Sequence, residues 1–246
     1  MIQAVTFDCW GTLLLDSPAA DEGYRRERLT GIAAVLASSG VTVTDRALEQ
    51  AYAIAGRRLA RLWSEHKDVS AMGHVRALLD AVDAELSDRL SAPTLQALVE
   101  AYSAPAGRVP PAVDPGAASA LDALSRRGYA LGVISNVMRT PGAVLRSVLD
   151  RRALLQSFTT LTFSDECGIR KPDPEIFLAT LRQIGVAPDQ AVHVGDDPVL
   201  DVEGARDAGM RVIQVAASGR AVGAVKPDAV VTGLADVPAV VERLAW

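Results

Sequence analysis

The feature that most constrains this chain is an interruption. A short apolar run rich in β-formers, residues 2–7, stops at Asp8 and enters a turn marked by Gly11 and Thr12. No second run of that kind follows until Ala130. Beyond that point apolar runs recur at residues 130–135, 158–163, 191–194, 212–215 and 229–231. Helical patterns separate them at residues 117–127, 141–150, 174–184 and 200–208. Continuous apolar strands alternating with helices predict an α/β fold, a Rossmann-like parallel sheet covered on both faces. The first strand belongs to that sheet, so the chain leaves it at once and returns much later.

What fills the gap is helical. Between residues 17 and 107, Ala, Leu, Arg and Glu dominate. Leu29, Ile32, Ala33 and Leu36 fall at helical spacing, as do Leu48, Ala51, Tyr52 and Ala55. Leu59, Leu62, Trp63 and then Val75, Leu78, Leu79, Val82 continue the pattern. Thr44 with Asp45, and Ser91, read as helix starts, giving roughly four helices. A stiff Pro-rich connection, residues 107–116, closes the module. The expected organisation is an α/β core from residues 1–15 and 112–246 with an inserted helical cap at 16–111. Two linkers, near Asp16–Pro18 and Gly107–Pro115, would let the cap open and close. There are no repeats and no low-complexity tract.

Composition narrows the function classes. The 246 residues are 49% hydrophobic and 22% charged, the profile of a globular protein with a substantial core. A net charge of −5 with scattered Lys and Arg argues against binding a nucleic-acid backbone. No apolar run reaches the roughly 18–20 residues that span a bilayer. Cys9 and Cys167 make no disulfide framework, and Cys9 reads as a small buried hydrophobe. With no basic and apolar leader at the N-terminus, a cytoplasmic location is expected. A small anionic molecule is the expected partner, and oligomeric state is not legible.

In an open parallel sheet, ligands bind beyond the carboxyl ends of the strands. Reading off those ends yields Asp8, Ser135 with Asn136, and Gly195-Asp196-Asp197, with Lys171 just past the strand that ends at Phe163. A carboxylate, a hydroxyl, an ammonium and an acidic cluster should thus share one rim.

These residues stand in four segments that resemble, in order, the motifs of the haloacid dehalogenase-like superfamily. The first is Phe7-Asp8-Cys9-Trp10-Gly11-Thr12-Leu13-Leu14, and the second is Leu131-Gly132-Val133-Ile134-Ser135-Asn136. The third runs from Arg170-Lys171-Pro172 to Phe177, and the fourth from His193 to Gly209. The helical insertion after the first segment resembles that superfamily's cap. The resemblance implies a hydrolase whose nucleophile is Asp8. It also implies Mg²⁺ held by an Asp8 oxygen, the Trp10 carbonyl and Asp196, with Asp197 or Asp201 behind them holding a water of the metal or Lys171.

The residue types suit that chemistry. A carboxylate such as Asp8 can attack phosphorus or carbon and split one hard displacement into two. Lys171 and a cation would both favour its ionised form. Gly11 allows a tight turn beneath the attacked group. The Thr12 and Ser135 hydroxyls can donate to substrate oxygens. Lys171 neutralises nucleophile and substrate anion alike. Pro172 and Pro174 stiffen the loop that presents it. Asp196 supplies the hard oxygen that Mg²⁺ prefers.

One position departs from the pattern. The superfamily's phosphatases usually carry a second Asp two residues after the nucleophile, which protonates the leaving oxygen. This chain has Trp10, whose indole has no such function. Two readings follow. The leaving group needs no proton, as in an acyl phosphate; or the electrophile is carbon and the leaving group a halide, since the superfamily's 2-haloacid dehalogenases carry an aromatic Tyr there. The Gly195-Asp196-Asp197 cluster favours the metal-dependent phosphate reading, because those dehalogenases use no metal and have Ser and Asn in that region. Phe177 also stands where they have Tyr. A third reading, a catalytically weak chain kept for binding, rests on Trp10 alone.

Bland alternatives remain beside these roles. Ser135-Asn136 could cap the next helix, Lys171 could be a solvated loop residue, and Asp201 could serve a helix N-terminus. His193 reads as structural. His66 and His74 are expected on the cap surface. Tyr24, Arg25, Arg28 and Trp63 are candidates to touch substrate.

Overall fold

The computed structural model describes residues 1–15, 18–216 and 223–245. Asp16 and Ser17, in the first expected linker, lie outside the described residues. The strands in chain order are β1 (Ala4–Phe7), β2 (Leu14–Leu15), β3 (Ala112–Val113), β4 (Ala130–Ser135), β5 (Thr160–Phe163), β6 (Ala191–Gly195), β7 (Arg211–Val215) and β8 (Ala229–Val231). Six of these form one sheet in the order β5-β4-β1-β6-β7-β8. Every neighbouring pair in that sheet is parallel. This is the Rossmann-like α/β core that the alternating pattern predicts.

The period-two geometry of a strand explains the near-continuous apolar runs. Val5, Phe7, Val133 and Val194 enter one buried layer, while Ala4, Ile134, Ala191 and Val212 enter the other. Pairing starts later than the apolar runs do. β1 begins at Ala4, and β5 begins at Thr160 because a tight turn at Leu155–Ser157 precedes it.

Between Pro18 and Arg108 the chain is helical. Four longer helices, Pro18–Ser38, Asp45–Ser64, Ala71–Val82 and Ala92–Ser103, form the module, with a short turn, Leu86–Arg89, before the last and another, Pro105–Arg108, after it. Thr44 and Ser91 cap as expected, accepting from the N–H groups of Ala47 and Thr94. The helices bury their stripes against one another in a core of their own, which includes Ile32, Leu36, Leu48, Leu78 and Leu98. The antiparallel pair β2–β3 joins the chain just after β1 to the chain just before it re-enters the sheet. Two-residue strands carry no readable periodicity, and the sequence showed no sign of them.

Two expectations are corrected here. His74 is buried, not exposed. It sits one turn before Leu78 on the same helical stripe, and its Nδ1 meets the Tyr102 hydroxyl at 3.0 Å. His66 is exposed, as expected. The helix read at residues 200–208 is also not regular. It opens as a wide π-helical turn, Pro198–Glu203, and continues as Gly204–Asp207. Within it the Val202 N–H reaches five residues back to the Asp197 carbonyl.

Candidate active site

The site is built by register. Phe7 lies opposite Val133 on one side and Val194 on the other, so the carboxyl ends of β4, β1 and β6 align. β4 and β5 extend the sheet on one side of β1, and β6, β7 and β8 extend it on the other. That reversal is the switch point at which α/β sheets hold ligands. Asp8 leaves β1 there, its N–H donating to the Val194 carbonyl at 2.8 Å.

Lys171 lies between two carboxylates. Its Nζ donates to Asp8 Oδ1 and to Asp201 Oδ1, both at 2.6 Å, and it is 2% exposed. A solvated loop lysine is thereby ruled out. Burial alone would lower its pKa, but Asp201 and Asp8 raise it above the usual lysine range. Asn136 fixes the lysine's backbone from both sides, accepting from the Lys171 N–H at 2.8 Å and donating to its carbonyl at 2.9 Å. Ser135 and Asn136 cap no helix, since the next one follows Pro141.

Asp201 is the organiser behind Lys171. Its Oδ1 lies 3.1 Å from His193 Nε2, and its Oδ2 accepts from the Asp197 N–H at 2.9 Å. Burial would raise its pKa; Lys171 and His193 instead hold it well below the carboxylate range. Burial lowers the pKa of His193, so the ring is neutral. An ionised Asp201 only accepts, which places the imidazole proton on Nε2 and lets Nδ1 accept from the Thr6 hydroxyl at 2.9 Å. Phe177 packs edge-on against the same ring. The reading of His193 as structural holds in that it supports Asp201 from the strand beneath. Of the two candidates to hold Lys171, the structure selects Asp201. Asp197 spends one oxygen on the Val199 and Leu200 N–H groups as a cap.

Asp8, Asp196 and Asp201 each offer an oxygen within 4.8 Å of the others, a group that could hold a metal ion. Gly11 has φ +81°, and a Cβ there would fall 2.7 Å from the Asp196 carboxylate. Only glycine supplies both the left-handed turn and the room. Burial pushes the Asp8 carboxyl up to about 7; Lys171 opposes this, and Asp201 and Asp196 reinforce it. The Thr12 and Ser135 hydroxyls are buried, have no hydrogen-bond partner within the protein, and lie outside the cavity lining.

A cavity of about 720 Å³ opens above the carboxylates. Asp8, Trp10, Asn136, Lys171 and Asp196 line its floor, and Tyr24, Arg25, Arg28 and Tyr52 of the helical module line its roof. Trp10 is half-buried, with one face against the core. Arg28 spends its donors inside the protein, on the Tyr102 carbonyl, the Tyr52 hydroxyl and the Arg139 carbonyl. The Arg139 guanidinium stacks 4.4 Å from the Tyr52 ring centre. Trp63, expected near substrate, lies outside the cavity lining and stacks on Arg170 at 4.6 Å.

A family model described as haloacid dehalogenase-like hydrolase matches residues 2–209. The chain belongs to the haloacid dehalogenase-like hydrolases. It is 30% identical over 220 residues to a glyceraldehyde 3-phosphate phosphatase of Methanopyrus kandleri, covering 87% of this chain and 84% of that one. A match to a phosphoserine phosphatase of Thermus thermophilus, at 39% identity, spans 48% of this chain and 45% of that protein. Among solved structures, a 2-haloacid dehalogenase from Pseudomonas syringae pv. Tomato DC3000 superposes with a TM-score of 0.73 at 29% identity, covering 99% of both chains. Membership makes this haloacid dehalogenase-like chain a hydrolase. No helix among its described residues is long and apolar enough to cross a membrane.

Proposed function

We propose that this hydrolase uses Asp8 as nucleophile to hydrolyse a small phosphorylated metabolite with a good leaving group, with Mg²⁺ as cofactor. The observation that carries the reading is charge. Three buried carboxylates, Asp8, Asp196 and Asp201, meet one ammonium, Lys171, beside a neutral imidazole. The excess matches what one divalent cation balances; burial, with Asp201 and Asp196 adding, pushes the Asp8 carboxyl up to about 7, and a cation beside it would favour the anion. The all-oxygen donor set of Asp8 and Asp196, with the Trp10 carbonyl as a third donor, fits Mg²⁺. When bound there, the ion would neutralise the carboxylates and draw charge from a phosphoryl oxygen.

The chain's own groups account for the remaining chemistry. An Asp8 oxygen attacks phosphorus, the bond to the leaving oxygen breaks with its electron pair, and water later cleaves the aspartyl phosphate to restore Asp8. Lys171, fixed by Asn136 and Asp201, balances charge that builds on the phosphoryl oxygens. Thr12 and Ser135, buried without partners, donate to those oxygens. Trp10 donates no proton, so the leaving group departs as a stable anion, as from an acyl phosphate.

The test is phosphate release from acetyl phosphate and 4-nitrophenyl phosphate with and without Mg²⁺. Metal-dependent turnover is expected, and Asp8→Asn should abolish it. Full activity in that variant would sink the nucleophile. A second reading has two observations in its favour: likeness over the full length to the Pseudomonas 2-haloacid dehalogenase, and an aromatic residue at position 10. Halide release from 2-chloropropionate without metal, and no phosphate release, would establish it instead.

A further inference from the structure

The residue before the candidate lysine is buried in a second charged cluster, which the chemistry above does not use. Arg170 is 4% exposed, and its Nη1 donates to Asp68 Oδ2 at 2.5 Å and to the Val137 carbonyl at 2.6 Å. Asp68 belongs to the helical module, 102 positions away in sequence. The same Asp68 oxygen accepts from the Ser164 hydroxyl at 2.5 Å, and Ser164 Oγ in turn accepts from the Val137 N–H at 2.9 Å. One carboxylate oxygen of the cap thus gathers three pieces of the rim: the segment after Asn136, the end of β5, and the segment that enters Lys171.

The backbones are joined as well. The Arg170 N–H donates to the His66 carbonyl at 2.8 Å, and the Asp68 N–H donates to the Gly168 carbonyl at 2.9 Å. Lys67 and Ile169 form the antiparallel bridge between these bonds. Trp63 closes the cluster from the cap side, its ring over Arg170 and its Nε1 donating to Asp68 Oδ1 at 3.1 Å. An isolated buried pair contributes little net stability against its desolvation cost. What this one does supply is geometry: it makes a fixed position of Arg170 depend on the cap being docked.

We infer that Asp68 is a positioning residue, holding Arg170 so that Lys171 sits between Asp8 and Asp201 only when the cap is seated. The inference rests on the phosphatase reading for its kinetic test, and on the geometry alone for its structural one. Asp68→Asn keeps the shape and removes the charge. In it, kcat for acetyl phosphate with Mg²⁺ should fall about 10- to 100-fold, the range for groups that orient a functional residue. Asp68 lies outside the cavity but Arg170, which it holds, lines it, so KM should rise modestly, by a smaller factor than kcat falls. Asp68→Glu should recover part of the loss. In a Lys171→Met background, Asp68→Asn should cost nothing further; a second full loss there would mean that Asp68 acts apart from Lys171 and would overturn the inference. Amide hydrogen exchange gives the readout that needs no activity. Residues 164–172 should lose protection in Asp68→Asn while the helix Ala71–Val82 keeps its own. Unchanged protection at 164–172 overturns the inference. Should Asp68→Asn fail to fold, Arg170→Lys, which keeps the charge and loses the fork, replaces it in both measurements. If the wild type turned over neither phosphate, the proposed function would fall, and the exchange comparison would still decide whether Asp68 holds the lysine's segment.

Discussion

At the scale of the residue, Trp10 decides more than any other side chain. It occupies the second position after Asp8, faces the cavity, and offers no proton. General acids typically contribute about 10²–10⁴-fold. If that group alone is missing, Trp10→Asp should raise turnover of an alkyl phosphate by tenfold or more, with acetyl phosphate changed far less. Steady-state kinetics on the two substrates checks this. A folded variant without the gain would mean that the pocket around the leaving group has changed as well. Residue identity made this departure visible in the sequence. It did not reveal that Thr12 and Ser135 would be buried without partners, since that depends on packing from several strands at once.

At the scale of the element, close approach of backbone and carboxylate sets the site. Gly195 ends β6 where the wide turn after Pro198 folds Asp201 back over the strand. A Cβ at Gly195 would overlap the Asp201 carboxylate carbon. Gly195→Ala should therefore displace Asp201 from Lys171, cost about 1–3 kcal/mol of stability by overpacking, and lower kcat by about 10²-fold, the scale of a 1 Å misplacement. Gly23 is the contrast. It lies on an exposed helical face, where an added methyl would meet nothing within 4 Å. Gly23→Ala should raise stability by about 0.5–1 kcal/mol through helix propensity. Denaturant melts of the two variants distinguish crowding from a general intolerance of substitution. The elements themselves were largely legible. The parallel strands, the capping residues Thr44 and Ser91 and the rim residues Asp8, Asn136, Lys171 and Asp196 follow from local pattern and strand-end logic. The π-helical turn, the β2–β3 pair and buried His74 did not, because each is decided by contacts with distant chain. Asp68 carries no spacing signal, and Arg170 is visible only as the first residue of the third motif; only the folded chain pairs them.

At the scale of the whole molecule, Asp68 at the seam between helical module and sheet and Asp165, which accepts from the Gly142 N–H within the core, titrate in opposite senses. Burial would raise Asp68, but neighbouring His74, the Ser164 hydroxyl and the Arg170 charge overcome it and hold its pKa at about 2, below the ordinary 3.8. A depressed carboxylate contributes stability that is present above the unfolded value and is lost as pH falls through the folded one. Asp165 sits one residue beyond Ser164, and burial pushes it up to about 6, with the Gly142 N–H opposing and the Glu166 and Asp68 charges adding to the rise. Its sign is reversed: the folded state prefers the proton, so the cost is full above about 6 and is relieved as pH falls toward 3.8. Asp165→Asn should therefore be stabilising relative to wild type at pH 8, with the gain shrinking between pH 6 and 4. Asp68→Asn should be destabilising at neutral pH, with the deficit closing only below pH 4. Thermal midpoints of wild type and both variants across pH 2–8 measure this. If the two difference curves ran parallel, a single titrating group would be responsible and the opposed pair would not exist. If they diverge as described, neutral pH is where the seam draws most from Asp68 and where the core carries the full cost at Asp165. The Asp68 charge that joins module and sheet would then stay ionised down to about pH 4, while the cost at Asp165 falls within the core.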